Sequence, residues 1–176
     1  MYGGGHMPAK RTLPYVILGI IHTQGPQTGK QITHEFVHEI GEFYHASHSQ
    51  IYPEFKRMAK DGWLTSEYLD GKTIRYDITE EGLEVLKQWM EEESDDDATS
   101  SLKLYFIRDQ KDPLLQKIMN EQLEKHVKKL DHLKERKTLL FSHDEKQDHY
   151  GHYLILTRAI EREENHIKWL KAQLGN

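Results

Sequence analysis

Apolar side chains at Leu13, Val16, Ile17, Ile20 and Ile21 fall at helical spacing, and Gly25-Pro26 breaks that helix. Thr28 is placed to cap a second helix with Ile32, Phe36, Val37 and Ile40 as its buried stripe and Gly41 at its end. A third helix is predicted from about Ser47 to Lys60, with Ile51, Phe55, Met58 and Ala59 facing inward. Its Pro53 is tolerated if it falls in the first turn, where the missing N–H has no partner to lose. Asp61-Gly62 stops it. Trp63, Thr65 and Glu67, then Ile74, Tyr76 and Ile78, flank the turn Leu69-Asp70-Gly71-Lys72, a strong hairpin signal. Thr79 then opens a helix holding Leu83, Val85, Leu86 and Trp89. Three helices, a hairpin and a helix within about 80 residues make a winged helix-turn-helix.

The C-terminal part reads as long helix. Met119, Leu123, Val127, Leu130, Leu133 and Leu140 mark one amphipathic face. Tyr153, Leu156, Ile160, Glu163, Ile167, Leu170 and Leu174 step alternately by 3 and 4, a heptad seam that is apolar at six of its seven positions. Such helices need a partner face, and a second copy is the simplest supply. Tyr153, Leu156, Ile160, Ile167, Leu170 and Leu174 are therefore the expected dimerisation residues. An intramolecular helical hairpin is the alternative. The fold class is mainly α, a winged helix-turn-helix plus a long-helix dimerisation domain. The predicted boundaries are 8–92 for the first, 93–111 for an acidic linker and connecting segment, and 112–176 for the second. Met1-Tyr-Gly-Gly-Gly-His-Met7 (1–7) reads as a cloning remnant.

Charge sharpens this division. Residues 1–78 have net charge 0, residues 79–98 carry −8 and residues 99–176 carry +3, giving −5 over 176 residues. The acidic run 91–97 suits a solvated bend. With 36% hydrophobic residues, nine Tyr, five Phe and three Trp, the chain can still anchor a core. It has no Cys, which excludes disulfides, Cys-ligated zinc and thiol catalysis. No apolar run approaches a membrane span and no secretory signal is visible, so a cytoplasmic protein is expected, with no membrane partner.

His34-Glu35-Phe36-Val37-His38 is a literal zinc-protease motif. Ile32, Phe36 and Ile40 must face inward, which turns His34 and His38 about 200° away, toward solvent. Position 44, where the extended motif needs a third His, is Tyr44. With no P-loop, dinucleotide fingerprint or nucleophile elbow in the chain, the expectation is no enzyme, no metal and no cofactor. Incidental metal binding by the exposed His pair stays open.

The features that suit DNA cluster instead. The second helix of such a motif enters the major groove. Its leading residues Ser47, His48, Ser49 and Gln50 are short and polar, and Tyr52 and Lys56 follow on it. Thr28, Gly29 and Lys30 open the preceding helix, where N–H groups favour phosphate. Lys72 and Arg75 lie on the wing, and Lys10 and Arg11 extend an N-terminal arm.

These segments resemble the PadR family of bacterial transcriptional regulators. The resemblance is carried by Leu13-Pro-Tyr-Val-Ile-Leu-Gly-Ile-Ile21, Thr28-Gly-Lys-Gln-Ile32, Ser47 and Ser49 before Ile51-Tyr-Pro53, Arg57-Met58, Asp61-Gly-Trp-Leu64 and Thr73-Ile-Arg-Tyr-Asp-Ile-Thr79 with Gly82. The helical part, including Lys103-Leu-Tyr-Phe-Ile107, resembles the longer subfamily. The resemblance implies a homodimeric repressor on double-stranded, palindromic operator DNA. Its closest form implies control of phenolic acid decarboxylase expression and release by hydroxycinnamic acids such as p-coumaric acid. A phenolic acid needs a cation or donors, aromatic walls and a phenol partner. Tyr15, His22, Tyr105, His149, His152, Tyr153 and Arg158 are the candidate effector contacts, expected where the first domain meets the helical part. A winged-helix protein-interaction module, or a regulator answering to a drug or metal, are the alternative readings.

Overall fold

The computed structural model describes residues 11–141 and 149–175. Met1–Met7 and Lys10 therefore lie outside the described residues. Two compact units divide the chain, one ending at Arg108 and the other beginning at Asp109.

The first unit is arranged around α1 (Leu13–Gln24), whose Val16, Ile17, Leu18, Ile20 and Ile21 are all buried. A helix this apolar on every side is stable only when enclosed. α2 (Gly29–His38), α3 (His48–Lys60), α4 (Glu80–Glu91) and α5 (Asp97–Phe106) enclose it, together with a small antiparallel sheet. The sheet has the order β1 (Gln27–Thr28), β3 (Ile74–Ile78), β2 (Leu64–Tyr68). Leu64 pairs with Ile78 and Tyr68 with Ile74, closing the hairpin.

Several sequence expectations are corrected here. β1 is a third strand too short to show a period, and it pins the start of α2 to the wing through Gln27 opposite Tyr76 and Thr28 opposite Arg75. In β2, directly opposed residues share a face, so Leu64, Ser66 and Tyr68 lie with Ile74, Tyr76 and Ile78; Thr65 and Glu67 lie on the other face. Val37 is 62% exposed, because α2 closes at His38 and Ile40 reaches the core from beyond the helix. Pro53 is the sixth residue of α3 rather than part of its first turn, so the helix forgoes one internal hydrogen bond there.

The segment expected to link the domains contains a helix. Asp96 accepts the Thr99 N–H at 2.7 Å and caps α5, and Leu102 and Phe106 join the core of the first unit. Lys103 is buried too, its Nζ donating to the Glu92 carbonyl at 2.5 Å and lying 5.2 Å from the centre of the Trp89 ring. Phe106 fits against α1 because residue 19 is glycine: a Cβ there would lie 2.6 Å from the ring.

The second unit is a helical hairpin of α6 (Pro113–Leu140) and α7 (Tyr150–Leu174). Leu156 and Ile160 cluster with Phe141 and with Leu130, Leu133 and Leu140 of α6, flanked by half-buried Tyr153. Ile167 and Leu170 are also buried and Leu174 is half-buried. The seam predicted to meet a second copy is thus largely satisfied within one chain, because α6 offers α7 an apolar face of matching length. Glu163, the polar seam position, is 2% exposed at its side chain. It accepts from Lys129 Nζ at 2.8 Å and lies 2.5 Å from Nδ1 of His126. Burial works to raise its pKa, but the Lys129 and His126 contacts prevail and hold the carboxyl at about 2.

Two outcomes follow for stability. Gly19→Ala, which in an open helix would stabilise, should cost about 1–3 kcal/mol in urea denaturation because of Phe106. In a Phe106→Ala background the same change should cost nothing. Glu163 has a folded pKa below its unfolded value, so its contribution is complete above pH 4.5 and lost as the pH falls toward 2, for a total of about 3 kcal/mol. Glu163→Gln should flatten the pH dependence of the urea midpoint between pH 5 and 3; parallel curves would contradict the assignment.

Candidate nucleic-acid interface

The first turn of α2 is organised by a capping box. Gln31 N–H donates to Thr28 Oγ1 at 3.3 Å, and Thr28 N–H donates to Gln31 Oε1 at 2.8 Å. α3 opens in a related way, with Ser47 N–H donating to Gln50 Oε1 at 2.9 Å and the Ser47 and Ser49 hydroxyls 2.8 Å apart. Ser47, Ser49 and Gln50 are exposed at the leading end of α3 as expected, but they also build its cap. His48 stacks on Tyr52 at 5.7 Å with planes 7° apart.

Tyr52 is the hinge between surface and core. Its ring edge meets Phe55, which stacks on Tyr76 of β3 at 4.3 Å. The same ring closes over the start of α2, where a Cβ at residue 29 would lie 3.0 Å from it. Gly29 lets the Tyr52 ring lie this close, and a larger residue there would have to shift it by a few tenths of an ångström.

Between the α2 start, α3 and the wing lies a groove of about 580 Å³. The structure brings Thr28, Gly29, Lys30, Tyr52, Lys56 and Lys72 together along it, six of the residues singled out from the sequence. Three lysines and no carboxylate line it. Pro53, Thr73, Ile74 and Tyr76 complete the wall and were not anticipated, although the alternation of Ile74 and Tyr76 along β3 carried the signal. A groove of this sign and shape suits a phosphate backbone.

The wing tip is held by Asp70. Its carboxylate accepts the N–H of Thr73 at 2.6 Å and of Lys72 at 3.2 Å, and the Thr73 hydroxyl at 3.0 Å, while Gly71 takes φ 76°. These bonds, the Thr73 N–H foremost, keep the Asp70 carboxyl below its usual pKa. Lys72 is thereby presented on a defined turn. Arg75 differs, since its guanidinium donates to Glu67 across the strand pair at 2.5 Å. Arg11 also differs from the expected arm: it pairs with Glu54 on the inner side of α3.

The effector candidates fall into separate surroundings. In the first unit Tyr15 stacks on Trp89 at 5.3 Å inside the core, and His22 is exposed near the end of α1. Tyr105 donates to Glu35 of α2 at 3.3 Å, and burial, then the Glu35 charge, raise its pKa. In the second unit His152 and Tyr153 both meet Phe141 edge-on, at 5.6 and 5.4 Å, while His149 and Arg158 are exposed. His34 and His38 lie side by side on the surface with rings 4.2 Å apart, and Glu35 is engaged by Tyr105. Among the described residues no group of three or more metal-ligating acids and imidazoles is found.

Residues 17–88 match the model of the transcriptional regulator PadR-like family, and residues 100–175 match that of the virulence activator alpha C-terminal region. The negative transcriptional regulator PadR of Bacillus subtilis strain 168 is 34% identical over 177 residues, covering 94% of this chain and 97% of its own. Crystal structures of Bacillus subtilis PadR in complex with operator DNA and with p-coumaric acid are similar to this chain at 34% identity. They cover 94% of this chain and 98% of theirs, with TM-scores of 0.45 and 0.43. The relationship rests on the identity. No helix among the described residues is long and apolar enough to cross a membrane.

The contrast, among the described residues, between cations with and without an ion-pair partner sets an outcome for duplex DNA. Lys56→Ala should weaken binding to any sequence and lower the slope of log affinity against log salt by about 1. Arg75→Ala, already neutralised by Glu67, should lower it by less than about half as much. Fluorescence anisotropy across a salt series reads both, and equal slopes for the two variants would refute the distinction.

Proposed function

Since the chain belongs to the PadR-like family of transcriptional regulators, we propose that it is a repressor. In this reading it binds a palindromic operator as a homodimer and is released by hydroxycinnamic acids such as p-coumaric acid, controlling phenolic acid decarboxylase expression in the cytoplasm. The observation that carries the DNA-binding part is the lysine-lined groove, in which Lys30, Lys56 and Lys72 from three different elements share one wall system. Thr28, Gly29, Lys30, Lys56 and Lys72 hold phosphates. Ser47, His48, Ser49 and Gln50 approach base edges from the start of α3, Tyr52 bonds a phosphate, and Arg75 flanks the wing. A two-fold operator reads two copies at once, and half-site spacing then follows from the dimer.

The dimer in this reading has to use surface the hairpin leaves open. Leu154, Ile155 and Trp169 of α7 are exposed apolar side chains outside the internal seam. The effector part draws on the relative that has been crystallised with p-coumaric acid. The side chains available to such a ligand are those named from the sequence, of which His152 and Tyr153 already share an aromatic cluster with Phe141. A ligand releases DNA only if it binds the two arrangements of the protein with different affinity.

The test is anisotropy on duplex DNA from upstream of a neighbouring phenolic acid decarboxylase gene, with and without p-coumarate. Operator binding that is lost on adding p-coumarate is the expected result. Binding that ignores p-coumarate would discard the phenolic effector, and affinity no better than for random DNA would discard this operator.

A further inference from the structure

We propose that Glu54 is a positioning residue for sequence discrimination: its ion pair with Arg11 fixes the rotation of α3 about its own axis, and so the aim of the side chains that face DNA. This rests on the DNA-binding reading above.

Four residues of α3 turn inward, and three of them, Ile51, Phe55 and Met58, are apolar. The fourth is Glu54, a carboxylate only 3% exposed between Ile51 and Met58 on the same face. Arg11, which stands just before the N-cap of α1, donates its guanidinium to Glu54. Arg57 Nη1 lies farther off, at 3.9 Å. The other ionisable groups felt here are Asp61 and Tyr44. Burial pushes the Glu54 carboxyl up, Arg11 pulls it down and Asp61 pushes it up again.

Glu54 is buried while Arg11 is half-exposed, and a carboxylate that gives up its hydration for one ion pair is a poor device for stability. It does supply direction. Apolar contacts such as those of Ile51, Phe55 and Met58 are non-directional and by themselves set the roll of a helix less sharply. A guanidinium on a carboxylate has a preferred geometry and resists that motion. The direction matters because Ser49, Tyr52 and Lys56 project from the opposite side of α3. Side chains reach about 5–6 Å from a helix axis, so a roll of roughly 20° moves their ends by about 2 Å. That shift exceeds the distance range over which a hydrogen bond to a base edge survives. Arg11 is tied by chain to α1, the enclosed helix of the unit, so α3 is referred to the element on which the rest of the unit packs.

The experiment measures dissociation constants for the operator and for a random duplex at one salt concentration, with thermal midpoints, on the full chain. Glu54→Leu should match or exceed the wild-type midpoint while losing about tenfold in preference for the operator, its affinity for random DNA being unchanged. Arg11→Ala, altered at a half-exposed side chain, should lose preference in the same direction. The exchanged pair Arg11→Glu with Glu54→Arg should recover part of it. Wild-type discrimination in Glu54→Leu would overturn the proposal. So would equal losses on both duplexes in step with a lowered midpoint, which is what an ordinary packing role produces. If the wild type does not prefer the operator, the DNA target assigned above fails instead. Amide exchange then decides the proposal: faster exchange across residues 49–57 of Glu54→Leu at an unchanged midpoint supports it, and unchanged exchange overturns it.

Discussion

Helix α1 presents Val16, Ile17, Leu18, Ile20 and Ile21 around its whole circumference, and each of these side chains is buried. A helix with no polar face has to be surrounded, and the other elements of the first unit do this. α2, α3, α4, α5 and β3 all pack on it, so the elements that carry the lysines of the groove are referred to one common axis. The contact with α5 is a close one, since Phe106 occupies space that any side chain at residue 19 would fill. Because interiors are close-packed, a displacement of one wall of such a shell is felt by the others.

The groove shows how a nearly neutral domain can suit a polyanion. Residues 1–78 carry as many acids as bases, yet three lysines and no carboxylate line the groove. Glu67 is occupied by Arg75 and Glu54 by Arg11, which leaves Lys30, Lys56 and Lys72 to set the local field. The polar residues at the start of α3 have two duties. Ser47 and Gln50 satisfy the helix end, which fixes them before any partner arrives. Tyr52, Phe55 and Tyr76 join the groove to the core in a run of ring contacts between α3 and the wing strand.

The boundary between the two units falls later than the charge pattern suggests. The acidic run ends α4 and supplies the Asp96 cap of α5, and α5 then returns to the first core. The family model for the C-terminal region nevertheless begins at residue 100, inside α5. Only Ile107 and Arg108 separate Phe106 from the start of the second unit. The C-terminal end of α5 therefore both sits in the first core and leads along the chain to α6.

The periodicities of Leu13–Ile21, of Ile51–Met58 and of the C-terminal seam were enough to name the helices, and Asp70-Gly71 was enough to name the wing, because such patterns are local. The residues of the groove could be collected for the same reason: the element order of a winged helix implies which helix starts and which turn lie together. β1 escaped because two residues have no period, and α5 escaped because its burial depends on Gly19 of a distant helix. Local pattern also could not decide what the heptad seam meets, since a second copy and α6 offer the same kind of surface. Nor could it tell free cations from paired ones. Arg75 and Arg11 look like Lys72 and Lys56 along the chain, and only the positions of Glu67 and Glu54 separate them. Hydrophobic spacing is written within single segments, so the sequence by itself determined the elements and their order. Close packing and charge pairing join residues far apart along the chain, so only the tertiary structure decided which side chains remain free to act.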